Sequence, residues 1–207
     1  MTSSSNVQHP RLTLPVRLIF FERSISGDTC AATRRALEQI VESSEGAVTL
    51  ETVNLSLDKE RAADHGVDRV PALIAAASGF DRIRYYGAPL GRELPTLMEA
   101  IAMIAASETP LTDDSRARLH AVSTPVHIQV FFTPGCVYCP QMISLANRLA
   151  VANRLISASA IDATGFPDLV RRYAVNGVPK TVINDRIEIM GAVSEGELVT
   201  AVVSAAE

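Results

Sequence analysis

The chain has 207 residues, 47% hydrophobic and 20% charged, a composition that suits one large or two small globular domains with a buried core. Nineteen Lys and Arg against 23 Asp and Glu leave a net charge of −4, so neither a nucleic-acid partner nor an anionic membrane surface is expected. No apolar run reaches the roughly 18 residues of a membrane span, and MTSSSNVQHPRLTLP has neither the basic nor the apolar region of a signal peptide. Three cysteines are too few for a disulfide framework, which points to a cytoplasmic protein in which a cycling disulfide is more plausible than a lasting staple.

Residues 1–15 read as an N-terminal tail. RLIFF (17–21) is apolar and rich in strand formers. The stretch ERSISGDTCAATRR follows, leading into a helix over 30–43 with Ala36, Leu37, Ile40 and Val41 on one face. A strand ending at Val53-Asn54 precedes a short helix in DKERAADHGV (58–67). Val70-Pro71 then opens a hairpin over 71–87 that ends in glycine, and ELPTLMEAIAMIAA (93–106) closes the half as an amphipathic helix. The polar linker 107–125 holds a possible short helix capped by Thr112.

The plan then repeats. IQVFF (128–132) matches the first strand at a shift of 111, pairing Phe131-Phe132 with Phe20-Phe21. A helix over 139–154 presents Ile143, Ala146, Leu149 and Ala150, and the next strand ends at Ile161-Asp162. Pro167 starts a short helix over 167–175, where its missing N–H does no harm. Val178-Pro179 leads into a hairpin over 179–191 turned by Asn184-Asp185, and the helix 194–206 ends the chain. Asn54 to Pro71 and Asp162 to Pro179 are both 17 positions, so the register in this part is a shift of 108. Each half, 16–108 and 109–207, reads strand, helix, strand, helix, strand, strand, helix. The fold class is therefore α/β: the first two strands of each half parallel, the last two a hairpin, with helices on both faces.

Cys136 and Cys139, in TPGCVYCPQ (133–141), could be a metal clip, a staple or a cycling pair. Zinc would need about two more ligands. No second C-x-x-C is present, and His9, His65, His120 and His127 are scattered, so no metal is expected. A strand, then TPGCVYC, then a helix, then Val-Pro before a hairpin resembles the thioredoxin fold. Two copies in tandem resemble the glutaredoxin-like protein disulfide oxidoreductases, through VFFTPGCVYCPQM (130–142), GVPKTVI (177–183) and IRYYGAPLGREL (83–94). The chain is similar also to the N-terminal domain of the alkyl hydroperoxide reductase flavoprotein, a tandem pair with one active C-x-x-C. The resemblance runs from about residue 16 to the C-terminus and implies two tandem thioredoxin-like folds.

The first half departs from the disulfide oxidoreductase pattern. Cys30 aligns with the second cysteine, while Gly27 stands in place of the first, in a turn two residues longer. One redox centre results, and electron transfer between two dithiols inside this chain is excluded. The resemblance implies a thiol–disulfide oxidoreductase acting on protein disulfides, re-reduced by a reductase or a low-molecular-weight thiol, with no cofactor. The other reading is an electron-transfer or adaptor module for one dedicated partner, such as a peroxidase.

Cys136, at the start of a helix, is the expected nucleophile, because unbonded N–H groups and the helix dipole favour a thiolate. Cys139, one turn deeper, is the expected resolving thiol. Val137 and Tyr138 would tune the potential. Tyr138, Val178 and Pro179 are the expected substrate contacts: in the family the proline is cis, lies against the dithiol, and the residue before it offers its backbone. Pro71, facing no dithiol, only shapes its turn. Val130 stands where thioredoxin has a buried carboxylate, so no general base is named. Cys30 reads as a buried helix cysteine, with an auxiliary redox role as the alternative. His127 reads as a solvated strand-start residue, and Lys180 as an exposed strand lysine or a guide for acidic partners. TRR (33–35) and RRY (171–173) read as solvated helix faces.

Overall fold

The computed structural model describes residues 14–23 and 27–207. The N-terminal tail up to residue 13, His9 within it, and residues 24–26 of the first half's turn lie outside the described residues. The first half runs β1 (Val16–Glu22), α1 (Asp28–Ser43), β2 (Val48–Asn54), α2 (Lys59–Asp64), β3 (Ala72–Ala77), β4 (Phe80–Tyr86) and α3 (Leu94–Ala106). After α4 (Asp113–Leu119) the order recurs as β5 (Val126–Phe132), α5 (Cys139–Ala152), β6 (Ile156–Asp162), α6 (Pro167–Arg172), β7 (Lys180–Ile183), β8 (Ile187–Met190) and α7 (Glu195–Ala205). In each half the first two strands are parallel and the last two antiparallel.

Local chemistry sets several of these boundaries. Thr112 caps α4 by accepting from the Ser115 N–H at 3.2 Å. Ser194 and Glu197 form a reciprocal capping box at the start of α7. α5 stops at Ala152, short of the expected 154. Asn153 turns extended there, donates from its side chain to the Leu119 carbonyl and accepts from the Leu155 N–H, which diverts the chain into β6. The first-strand register also needs correction. β1 and β5 start at Val16 and Val126, a shift of 110 rather than 111, so Glu22 is the counterpart of Phe132. Glu22 to Cys30 is then eight positions and Phe132 to Cys139 seven, making the first half's turn longer by one residue rather than two. The shift of 108 holds for β2 and β6, which start at Val48 and Ile156.

Two of the expected solvated faces are only partly so. Arg34 is half-buried against Glu22, with which it forms an ion pair, and Tyr173 is buried. Burial lifts the Tyr173 hydroxyl above its usual range, and that hydroxyl donates to Asp185 at 2.7 Å.

All eight strands form one sheet in the order β2-β1-β3-β4-β6-β5-β7-β8. The two halves meet where β4 pairs in parallel with β6, from Ile83 opposite Ala158 to Tyr86 opposite Ile161. A single large core runs along one face of the joined sheet, holding Leu18, Phe20 and Leu73 of the first half with Ile128, Val130 and Cys139 of the second. On the other face, each half has its own smaller cluster: Phe21 and Ile74 in one, Phe131, Phe166 and Tyr173 in the other.

The junction is also held by polar contacts. Asn147 of α5 donates to the buried Tyr85 hydroxyl of β4 at 3.0 Å; that hydroxyl bonds Thr96 of α3 at 3.1 Å, and Thr96 donates to the Glu93 carbonyl at 2.7 Å. Arg148 of α5 is paired with Glu99 of α3 at 2.7 Å. Gly87, just after β4, has a φ of +105°, and a Cβ added there would stand 2.5 Å from the Asp162 Cβ. Only a residue without Cβ fits that backbone and that approach. Gly87→Ala is therefore expected to cost about 2 kcal/mol or more, read as a lower urea midpoint.

Candidate active site

The dithiol follows directly from β5. Phe132 ends that strand, Gly135 turns the chain with a φ of +89°, and α5 begins at Cys139. Cys136 and Cys139 are joined by a disulfide, with their Cα atoms 5.5 Å apart. Cys139 is fully buried, whereas Cys136 is half-exposed at the surface. The Cys139 N–H donates to the Cys136 sulfur at 3.2 Å. No acidic residue lies in the first turn of α5, so the positive end of this helix faces the sulfur without a competing carboxylate. Backbone N–H groups at a helix start favour an anion, and Cys136 is the sulfur that stands there.

Val178-Pro179 stands at the same end of the sheet. Its peptide bond is cis, Pro179 is buried, and the strand it opens places Lys180 opposite Phe131, one residue before the end of β5. The Gly191 N–H donates to the Pro179 carbonyl at 2.8 Å. Among the described residues no hydrogen bond engages the N–H or the C=O of this half-buried Val178. Val137 and Tyr138, between the cysteines, are 65% and 64% exposed, and Met190 beside Gly177 adds a third exposed apolar side chain. The surface around the dithiol is thus apolar and open.

Other expectations fall away from the sulfurs. Lys180 is only 3% exposed: its Nζ donates to the Tyr173 and Ala174 carbonyls at 2.5 and 3.3 Å and is ion-paired with Glu188 at 2.8 Å. It closes the C-terminal end of α6, which corrects both readings of it as an exposed lysine or as a guide for partners. His127 is exposed at the far end of β5 from the dithiol, with Nε2 2.9 Å from the Ser159 hydroxyl. Cys30 is buried in α1 and belongs to the large core. Pro71, also cis, accepts from the Gly87 N–H at 2.9 Å, the counterpart of the Pro179 bond in a half without a dithiol. Among the described residues no group of three His, Cys, Asp or Glu could hold a metal ion.

One residue that sequence reasoning missed is Glu93. It is 1% exposed at the N-cap of α3, and its Oε1 has no hydrogen-bond partner among the described residues. Burial, and secondarily the charge of Asp162, hold its carboxyl above the usual range. Asp162 pairs with Phe132 in the β5–β6 ladder, so this first-half carboxyl sits near the sheet end that carries the second half's dithiol. The linear sequence hides it, because the two residues meet only when the halves join. A carboxyl whose pKa is raised on folding stabilises the fold fully at low pH, and that contribution is lost as pH rises through its folded pKa. Urea unfolding of the wild type and Glu93→Gln should therefore show the wild type losing ground to the variant as pH rises from about 4.5 towards neutrality.

A thioredoxin domain matches residues 126–204. An alkyl hydroperoxide reductase protein of Xanthomonas campestris pv. phaseoli is 24% identical over 91% of this chain, a stretch that spans 33% of that protein. The chain spans a third or less of the curated alkyl hydroperoxide reductase relatives it matches. A probable thioredoxin of Archaeoglobus fulgidus is 31% identical over 35% of this chain and 81% of its own length. Among solved structures, a protein disulfide oxidoreductase from Aeropyrum pernix has a TM-score of 0.85 at 28% identity, covering 95% of this chain and 88% of that one. The N-terminal domain of the Enterococcus faecalis alkyl hydroperoxide reductase AhpF has a TM-score of 0.84 at 23% identity, covering 92% of each chain. The chain belongs to the thioredoxin family of thiol–disulfide oxidoreductases, in a form that carries two thioredoxin folds in tandem.

Proposed function

We propose that this chain reduces or exchanges disulfides of protein substrates through the single dithiol Cys136–Cys139. The observation that carries this reading is the asymmetry of the pair: a half-exposed Cys136 that accepts the Cys139 N–H at a helix start, above a fully buried Cys139. In the reduced state the Cys136 thiolate attacks a substrate sulfur, forming a mixed disulfide and releasing one substrate thiolate. Cys139, as thiolate, then attacks the Cys136 sulfur; the bond from Cys136 to the substrate breaks, and the second substrate thiolate leaves. The substrate gains two electrons, and the enzyme is left as the disulfide.

Val178, Pro179 and Tyr138 contact the substrate, with the unengaged N–H and C=O of Val178 receiving an extended backbone. The electrons are restored by a separate reductase or a low-molecular-weight thiol, in the reducing cytoplasm. No described helix is long and apolar enough to cross a membrane, and the reading involves neither membrane nor nucleic acid. Residues 16–108 act as a scaffold without a dithiol of their own, and residues 109–207 carry the chemistry. That boundary is supported by α4, whose cap residue Thr112 is bonded by Glu195 of α7 in the second half.

A second reading rests on the extent of the alkyl hydroperoxide reductase match, which takes in 91% of this chain: a module that passes electrons to one dedicated partner, such as a peroxidase. Dithiothreitol-driven reduction of insulin separates the two. Cys136→Ser and Cys139→Ser are expected to abolish turnover, and Cys30→Ala to retain it. A wild type without turnover, its dithiol still open to alkylation, would leave only the dedicated module.

A further inference from the structure

Under the dithiol helix lies a hydroxyl with nothing to bond. Thr181 is fully buried, and its Oγ1 has no hydrogen-bond partner among the described residues. Strand alternation fixes which way it faces. Val182 belongs to the cluster with Phe131 and Tyr173, and the Lys180 ammonium reaches the α6 carbonyls on that same side. Thr181 therefore points to the opposite face, as does Ile183, which belongs to the large core with Cys139, Met142 and Ile143. Thr181 also stands directly opposite Val130 in the β5–β7 ladder, two residues after Pro179. Val130 is six residues before Cys136, so the hydroxyl enters the α5 face of the sheet at the end from which the dithiol loop leaves.

A buried hydroxyl without a partner is destabilising unless some state of the protein supplies one. In the disulfide state neither sulfur accepts from it. Reduction changes that: Cys139 becomes a thiol that must ionise inside the core, and a buried thiolate needs a donor. We infer that Thr181 is a positioning residue whose hydroxyl donates a hydrogen bond to the Cys139 sulfur in the reduced protein, favouring the thiolate that resolves the mixed disulfide. Thr181 keeps its proton throughout; the proton lost by Cys139 passes to solvent. The role is one for which Val130, on the facing strand, has no polar atom.

The inference rests on the proposed division of labour between Cys136 and Cys139, and its test has one arm that does not. The charged groups on the elements packed against α5 include Glu93 at the N-cap of α3 and Glu99 within it, Asp81, Arg82 and Arg84 of β4, with Arg82 donating to the Ala150 carbonyl of α5, Arg148 of α5 itself, Asp162 at the end of β6, and Glu195 of α7. They are common to every variant compared, so only differences are read.

In the whole 207-residue chain carrying Cys136→Ser, thiolate absorbance would be titrated with Thr181, Thr181→Val and Thr181→Ser. The expected result is a Cys139 pKa about one unit higher in Thr181→Val, a tenfold change, with Thr181→Ser close to the wild type. With both cysteines present, Thr181→Val should slow release of the substrate from the mixed disulfide roughly tenfold at neutral pH, since the thiolate fraction falls by that factor. Alkylation of Cys136 should keep its rate. An unchanged Cys139 pKa in a Thr181→Val protein with wild-type circular dichroism would overturn the inference. So would equal losses in Thr181→Val and Thr181→Ser with a lowered urea midpoint, which would assign Thr181 to packing. If the wild type exchanged no disulfides, the Cys136→Ser titration would still decide the inference, and only the proposed function would fall.

Discussion

The arrangement depends on one ladder, the parallel pairing of β4 with β6. Each of these strands would otherwise be the open edge of its own half-sheet, with a row of unpaired N–H and C=O groups facing solvent. Pairing them closes both edges at once and turns two four-stranded sheets into one of eight. The core follows the same logic. Helices α3 and α5 lie side by side over the seam, and the chain from Asn147 through Tyr85 and Thr96 to the Glu93 carbonyl crosses it inside the protein. Gly87 lets the strand ends approach closely enough for this, because no Cβ stands between it and Asp162. The half without a dithiol therefore completes the sheet, the core and the surroundings of the one that has it.

The chemistry is concentrated in a few atoms. At Cys136 the helix start supplies a donor to the sulfur, with no acid nearby in the first turn to oppose the negative charge. At Cys139 the problem is the reverse, since full burial opposes ionisation. The first half makes a different kind of contact at the strand end where the second half has Phe132. Glu22, the counterpart of Phe132, is buried at the end of β1 and ion-paired with Arg34 of α1. A partly buried ion pair there takes the place of an apolar side chain. Removing Arg34 alone would leave the Glu22 carboxylate buried without its partner, which is more costly than never having had the pair.

Much of this is legible in the sequence because local signals repeat. Two strands, a short helix, a Val-Pro pair and a hairpin recur at fixed spacing, and Thr112, Pro167 and Asn184-Asp185 mark a cap, a helix start and a turn where the structure has them. The dithiol and its helix are equally plain. What escapes is long-range. The first-strand shift differs by one from the sequence expectation because matching both phenylalanines favours 111, whereas in the sheet Phe21 stands with Phe131 and Phe20 with Val130, and only the sheet tells which Phe faces which side. Lys180 reads as exposed because lysine usually is, and its partners, the α6 carbonyls and Glu188, become neighbours only through the hairpin. Glu93 and Thr181 carry no motif at all. Each is marked only by a buried oxygen with no partner, a property that exists solely in three dimensions.

The placement of the two sulfurs sets a rule for traffic. Cys139 is sealed in the core, so under the proposed function every molecule that gives electrons to the pair and every molecule that takes them must meet Cys136 on the same patch of surface. Donor and acceptor cannot be bound there together. Under the proposed function the protein would thus be a shuttle, charged by one partner and discharged by the next, with an excess of either one standing in the way of the other.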